Sequence, residues 1–287
     1  MVRSARWIAA NGDIIYFNQS PPYMLATFFP GTPSARPDAV KGIRADGQTT
    51  YHVARDPLTP SITGSIHSEG KTYEEAQRNL DKARMRLQRA LDPTQFGTLI
   101  YKSFAGSFRL VCRPITGAEI NNRIGNVYNF DVEFISDDPY WTAATPSAIS
   151  VGEVKKLWRF PWAIKPTVFG SLLSRGSIKN PTHIDIYPKI YISDTQSTKV
   201  TVGNETTGDT ITIAHNIDVG QRLIIDMAVP SVVLTGDGIN EDVTHWLTHD
   251  SAFPWVVVPG VNDIYSAVDN PDRSPIISIM WYQPEGL

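Results

Sequence analysis

Few residues in this chain could do chemistry, and each sits in a pattern that can be checked against what the reaction would need. Gly70-Lys71-Thr72 falls between a strand-like run, Leu58–Ser68, and a helix-like one. That is the placement of a phosphate-cradling loop, in which glycine backbone folds around phosphates and Lys neutralises them. The pattern G-x-x-x-x-G-K-[ST] puts its first glycine at position 65, which is Ser65, and Gly64 comes one residue early. Glu69 would set a carboxylate beside the phosphate. Leu223-Ile224-Ile225-Asp226 imitates the acidic magnesium partner of such sites, but the alternating helices of a parallel P-loop sheet are missing. A capping box explains more residues. Thr72 and Glu75 form T-x-x-E, in which the Thr hydroxyl accepts from the N3 amide and the Glu reaches back to the cap amide.

The other constellations are weaker. His245 and His249 lie four apart in DVTHWLTHD, which on a helix would share one face as zinc ligands do, with Asp242 or Asp250 as a third ligand. The Glu that serves as general base in H-E-x-x-H is absent, and solvated histidines on a turn are the plainer reading. Asp137-Asp138 are adjacent, so in a strand they point to opposite faces and cannot flank one bond; an Asx turn before Pro139 fits better. No G-x-S-x-G elbow is present. Cys112 is the only cysteine, which excludes an intrachain disulfide and a thiolate metal cluster and suggests a buried structural thiol. No cofactor, metal or catalytic residue is expected, and the chain does not read as an enzyme.

The elements that would position these residues are mostly strands. The chain has 287 residues, 41% hydrophobic and 19% charged, a globular composition with room for two domains. The net charge of −3 gives no general pull toward nucleic acid or membrane. No apolar run has membrane-spanning length, and the N-terminus lacks the apolar core of a signal peptide, so a soluble protein made in a cytoplasm is expected.

One long helix is predicted after Thr72, ending at Asp92-Pro93. Tyr73, Ala76, Leu80, Ala83, Leu87 and Ala90/Leu91 form its apolar stripe, and Arg78, Lys82, Arg84, Arg86 and Arg89 make the remainder basic. That basic surface suits subunit contact or solvent better than nucleic acid, and Arg84 and Arg86 are the candidate interface residues.

Strands are predicted at 13–17, 23–29, 51–55, 58–68, 97–102, 107–114 and 126–135, with residues 30–50 as loop. Thr142–Ser150, small residues with a proline, reads as a linker. The predicted organisation is an N-terminal domain over 1–141, a linker over 142–152 and a C-terminal domain over 153–287. The last contains strands near 158–163, 182–192, 198–202, 210–215, 222–227, 231–234, 255–258 and 276–282, spaced as in a β-sandwich. Trp158, Trp162, Trp246, Trp255 and Trp281 all fall there, where they could line a sugar site or, more simply, fill core and interfaces.

The order of several motifs carries a resemblance. The run YHVARDPLTPSITGSIHS precedes the capped helix TYEEAQRNLDKARMRLQRALDPTQFGTLIY, and the first half closes on DVEFISDDPYW. The second half has IKNPTHIDIYPKIYI, DTITI, QRLIID, VVVPGVNDIY and IISIMWY. Over nearly the whole length this resembles the distal tail proteins (Dit) of siphophages and related tail-tip components. It departs in the loop Pro30–Gly47 and at Asn180-Pro181-Thr182, where the family usually has Gly-Asp.

The resemblance implies a mainly β fold with one long helix: an α+β belt domain, then a galectin-like or carbohydrate-module-like β-sandwich. It further implies a homo-hexameric ring at the distal end of the tail tube in the virion. The partners implied are the tail tube protein, the tail hub protein and receptor-binding or adsorption proteins of the baseplate, with DNA passing through the channel without specific binding. An alternative reading is a carbohydrate-binding β-sandwich that assists adsorption.

Overall fold

The computed structural model describes residues 4–40, 49–151, 173–193, 198–268 and 276–285. Two compact units emerge, Met1–Ala144 with Glu285–Leu287, and Thr145–Pro284. The stretch read as a linker is mostly strand: Trp141–Ala143 belongs to the first unit's sheet and Ser147–Val151 pairs residue for residue with Ile277–Trp281. Small residues there serve pairing rather than flexibility. The segment 158–163, read as a strand with Trp158 and Trp162, lies outside the described residues.

The first unit contains strands β1 (Ser4–Ile8), β2 (Ile14–Phe17), β3 (Tyr23–Phe29), β4 (Ala35–Val40), β5 (Thr49–Arg55) and β6 (Ser61–His67), then helix α1 (Tyr73–Ala90). After the helix come β7 (Gly97–Lys102), β8 (Ser107–Pro114), β9 (Glu119–Ile124), β10 (Val127–Ile135) and β11 (Trp141–Ala143). Ten strands form one sheet in the order β2-β1-β7-β8-β10-β6-β3, with β9 beside β10, β11 beside β8, and Pro284–Glu285 beside β11. The halves β2-β1-β7-β8 and β10-β6-β3 are joined by a short ladder, Phe134↔Pro114 and Ile135↔Arg113. A bridge between Asn18 and Met24 brings the two ends of the order together, so the sheet curls around its own core.

Strict alternation drives this: Ala5 and Trp7, Ile15 and Phe17, Leu99 and Tyr101, Leu110 and Cys112, Phe130 and Val132 all point inward. Gly64, buried in β6, faces Phe130 across the ladder, and a Cβ there would collide with the Phe130 ring and the Met24 carbonyl. β4 and β5 form a separate two-stranded ribbon, not the loop expected for residues 30–50. Ribbon pairing overrides the Pro and Asp content of β4, since Pro37 stands on an edge where its missing N–H costs no ladder bond.

Helix α1 buries Ala76, Leu80, Leu87 and Ala90 on the first core, while Ala83 is half-buried. Tyr73, assigned to the apolar stripe, is 68% exposed: it is the first helical residue and projects past the edge of the contact. Trp7 Nε1 donates to the Ala90 carbonyl at 2.7 Å, satisfying one of the last-turn carbonyls that lack an intrahelical partner. Tyr23 Oη donates to the Ala83 carbonyl at 2.9 Å. The two bonds fix the helix against β1 and β3.

The second unit is a sandwich. One sheet runs in the order β12 (Ser147–Val151), β21 (Ile276–Trp281), β14 (Lys189–Ser193), β17 (Arg222–Asp226), β18 (Ser231–Gly236), β19 (Ile239–Asp242). The other runs β13 (Leu173–Asn180), β20 (Gly260–Val268), β15 (Val200–Asn204), β16 (Asp209–Ile213). Ile190, Ile192, Leu223, Ile225, Ile277 and Ile279 from the first sheet meet Val200, Val202, Ile211, Ile213 and Ile264 from the second in one core. Of the segment 182–192, read as one strand, only the last part is ladder, and Trp255–Val258 is not a strand at all but makes a single bridge, Ile186↔Val257.

Candidate functional site

The loop before α1 has no room for a phosphate because the chain already fills that place. Thr72 Oγ1 accepts from the Glu75 amide at 3.2 Å, as a capping box requires. Glu75 Oε2 accepts from the Lys71 amide at 2.9 Å, one residue before the expected cap amide. A carboxylate thus sits where an anion would bind a helix N-terminus. Gly70 lies so close to the first turn that a Cβ would meet the Ala76 amide nitrogen at 2.5 Å, and Ser68 Oγ donates to the Ala76 carbonyl at 2.5 Å. Gly64 and Gly70 are both packing glycines, and the motif is a helix start.

The basic helix surface is not one face. Arg84 and Arg86 are two apart, so they leave the helix on different flanks. Arg84 is half-buried, with its guanidinium 5.8 Å from the centre of the Tyr128 ring in β10, and its Nε is buried without a hydrogen-bond partner. Arg86 is exposed and donates from Nη2 to the Ile14 carbonyl of β2 at 3.2 Å. Its charge also acts on Tyr23, whose phenol burial pushes up and Arg86 partly draws back. Arg78, Lys82, Met85 and Arg89 form an exposed stripe, with Met85 51% exposed. At the helix's C-terminal end a cleft of about 150 Å³ is lined by Trp7, Ala9, Asn11, Arg89, Asp92 and Gln95. The Asp92 carboxyl there is held below its usual range by the Thr94 hydroxyl, then by the Thr94 amide. Ligand sites run to roughly 300–1,000 Å³, so the cleft is small for one.

The remaining candidates are not brought together. His245 lies in a short 3₁₀ turn, Thr244–Trp246, and the backbone becomes extended at Leu247, which removes the shared helical face expected for His249. Trp246 stacks on His215 with centroids 3.6 Å apart. Asp138 accepts from the Tyr140 amide at 3.0 Å, an Asx turn. Cys112 is fully buried, and desolvation pushes its thiol up to about 12. Trp255 is buried at 1% exposure and Trp281 packs against the second core, so neither offers a flat platform to a sugar.

What the sequence reading missed is a set of three asparagines, each 1% exposed or less: Asn180, Asn204 and Asn262. Asn180 Nδ2 donates to the Ile184 carbonyl at 2.7 Å and the Val257 carbonyl at 3.1 Å. Asn204 Nδ2 donates to the Val256 carbonyl at 3.2 Å and to Asn262 Oδ1 at 3.0 Å. Asn262 closes a reciprocal pair with Val258, accepting its amide at 3.0 Å and donating to its carbonyl at 2.7 Å. Three adjacent strands thereby hold the non-ladder segment Val256–Val258. Buried backbone groups must find partners, and these amides supply them. The residues stood in Asn180-Pro181-Thr182 and in VVVPGVNDIY, but no partner for their amides is identifiable from sequence.

The chain thus combines a helix-backed curled sheet with a β-sandwich, each held by its own packing glycines or buried amides. Residues 182–281 match the family described as siphovirus-type tail component, C-terminal domain. Its fold is similar to that of the SPP1 Dit (gp 19.1) protein, with a TM-score of 0.63 at 11% identity over 99% of both chains. It is also similar to a chain of the phage P2 baseplate in its activated conformation with Ca, with a TM-score of 0.60 at 11% identity over 99% of this chain and 98% of that one. No curated protein sequence matches the chain.

Proposed function

We propose that the chain is a structural, non-enzymatic hub that closes into a hexameric ring at the distal end of the tail tube. In this reading the first unit is the belt around the passage for DNA. The second unit holds the tail hub and the receptor-binding or adsorption proteins. The observation that carries the reading is the end-to-end correspondence with the SPP1 Dit protein, itself described as a paradigm of the hub adsorption apparatus in phages infecting Gram-positive hosts. The β4–β5 ribbon adds support. Tyr51 is 74% exposed and Val53 55% exposed on a two-stranded element that, among the described residues, pairs with no other sheet, and such ribbons are marginal alone in water. Arg86, the exposed member of the Arg84–Arg86 pair, is the one placed to add a charged contact with a neighbouring copy.

Purified full-length protein, imaged by negative stain with and without tail tube protein, is expected to show six-fold rings with a central hole. Monomers alone, across low and high salt and with the tube protein present, would overturn the ring.

A further inference from the structure

The first unit presents two oppositely charged sheet faces, and this bears on how copies meet. In the half-sheet β2-β1-β7-β8 the core takes Trp7, Ile15, Leu99 and Leu110, so the alternate residues point outward. Those outward positions include Arg6, Lys102, Arg109 and Arg113, and among the described residues of the four strands none of them is a carboxylate. The register sets Arg6 between Tyr16 and Ile100, with Arg109 beside Ile100.

The other half has the reverse sign. Phe130, Val132 and Phe134 of β10 enter the core, which leaves Asp131 and Glu133 outward and exposed. Glu119 of β9 stands directly opposite Asp131 in the ladder. Like charges placed directly opposite destabilise strand pairing, so the arrangement gives the lone chain nothing. A cationic partner would relieve it.

One core lies between the two halves, so their outer faces point away from each other. Opposite charge on opposite sides suits a head-to-tail contact, the kind that generates rings. We propose that the Arg6–Lys102 face of one copy docks on the Asp131–Glu133–Glu119 face of the next, which rests on the ring reading and names its contact.

The test uses full-length protein and two surface variants, Arg6→Glu/Lys102→Glu and Asp131→Lys/Glu133→Lys, each checked for an unchanged circular dichroism spectrum and melting temperature. Each variant alone is expected to weaken self-association by roughly a hundredfold, because the contact then sets like charges face to face. Mixing the two is expected to restore mixed assemblies, seen by mass photometry. Wild-type rings with both variants assembling normally would overturn this contact and leave the ring standing. Loss of DNA retention in the first variant with assembly unchanged would assign the cationic face to nucleic acid and overturn it equally. Monomeric wild type would defeat the ring itself.

Discussion

Cys112 shows how burial decides the chemistry of a residue. Its thiol is reactive only as the thiolate, and with burial pushing it up to about 12 almost none is present at neutral pH. Native protein is expected to resist a chromogenic disulfide reagent and to react with one equivalent after unfolding; rapid labelling of the native state would show β8 opening locally. The same scale separates Arg84 from Arg86. Composition makes them equivalent, but two helical positions send one onto Tyr128 and the other to the Ile14 carbonyl.

At the scale of elements, α1 was legible because its signals are local. Thr72, Glu75, the three- and four-residue spacing and Asp92-Pro93 all act within a turn or two. β7, β8 and β10 were legible because their inward faces are uniformly apolar. β13 and β20 were not. Their inward positions interleave Ile178 with Ser174, Gly176 and Asn180, and Ile264 with Asn262 and Ser266, so the apolar period is too broken to read, and pairing across eight residue pairs makes them strands. Gly64 belongs to this scale as well. It looked like a displaced phosphate glycine, but its bare Cα admits the Phe130 ring from the neighbouring strand. Gly64→Ala is expected to cost about 1–3 kcal/mol by overpacking, measured by chemical denaturation. An unchanged midpoint would mean that Phe130 has space to move.

The molecule as a whole has two cores, one per unit, each built from its own strands. Separate cores allow separate unfolding. Asn262→Ala removes the pair to Val258 and the acceptor for Asn204, leaving buried groups unsatisfied at about 1–3 kcal/mol. In calorimetry it is expected to lower the transition of the second unit and leave that of the first in place. A uniform shift of all unfolding would show that the units melt as one.

By itself the sequence determined the mainly β class, the capped helix and the absence of a phosphate loop pattern, because propensity, capping and periodicity are carried by near neighbours. The tertiary structure alone decided which glycines make room for rings, where the asparagine amides find carbonyls, and which charges share a face. Those depend on partners a dozen or more residues away in the chain: Asn180 and Val257, Gly64 and Phe130, Asp131 and Glu119 become neighbours only once the strands have taken their order and register.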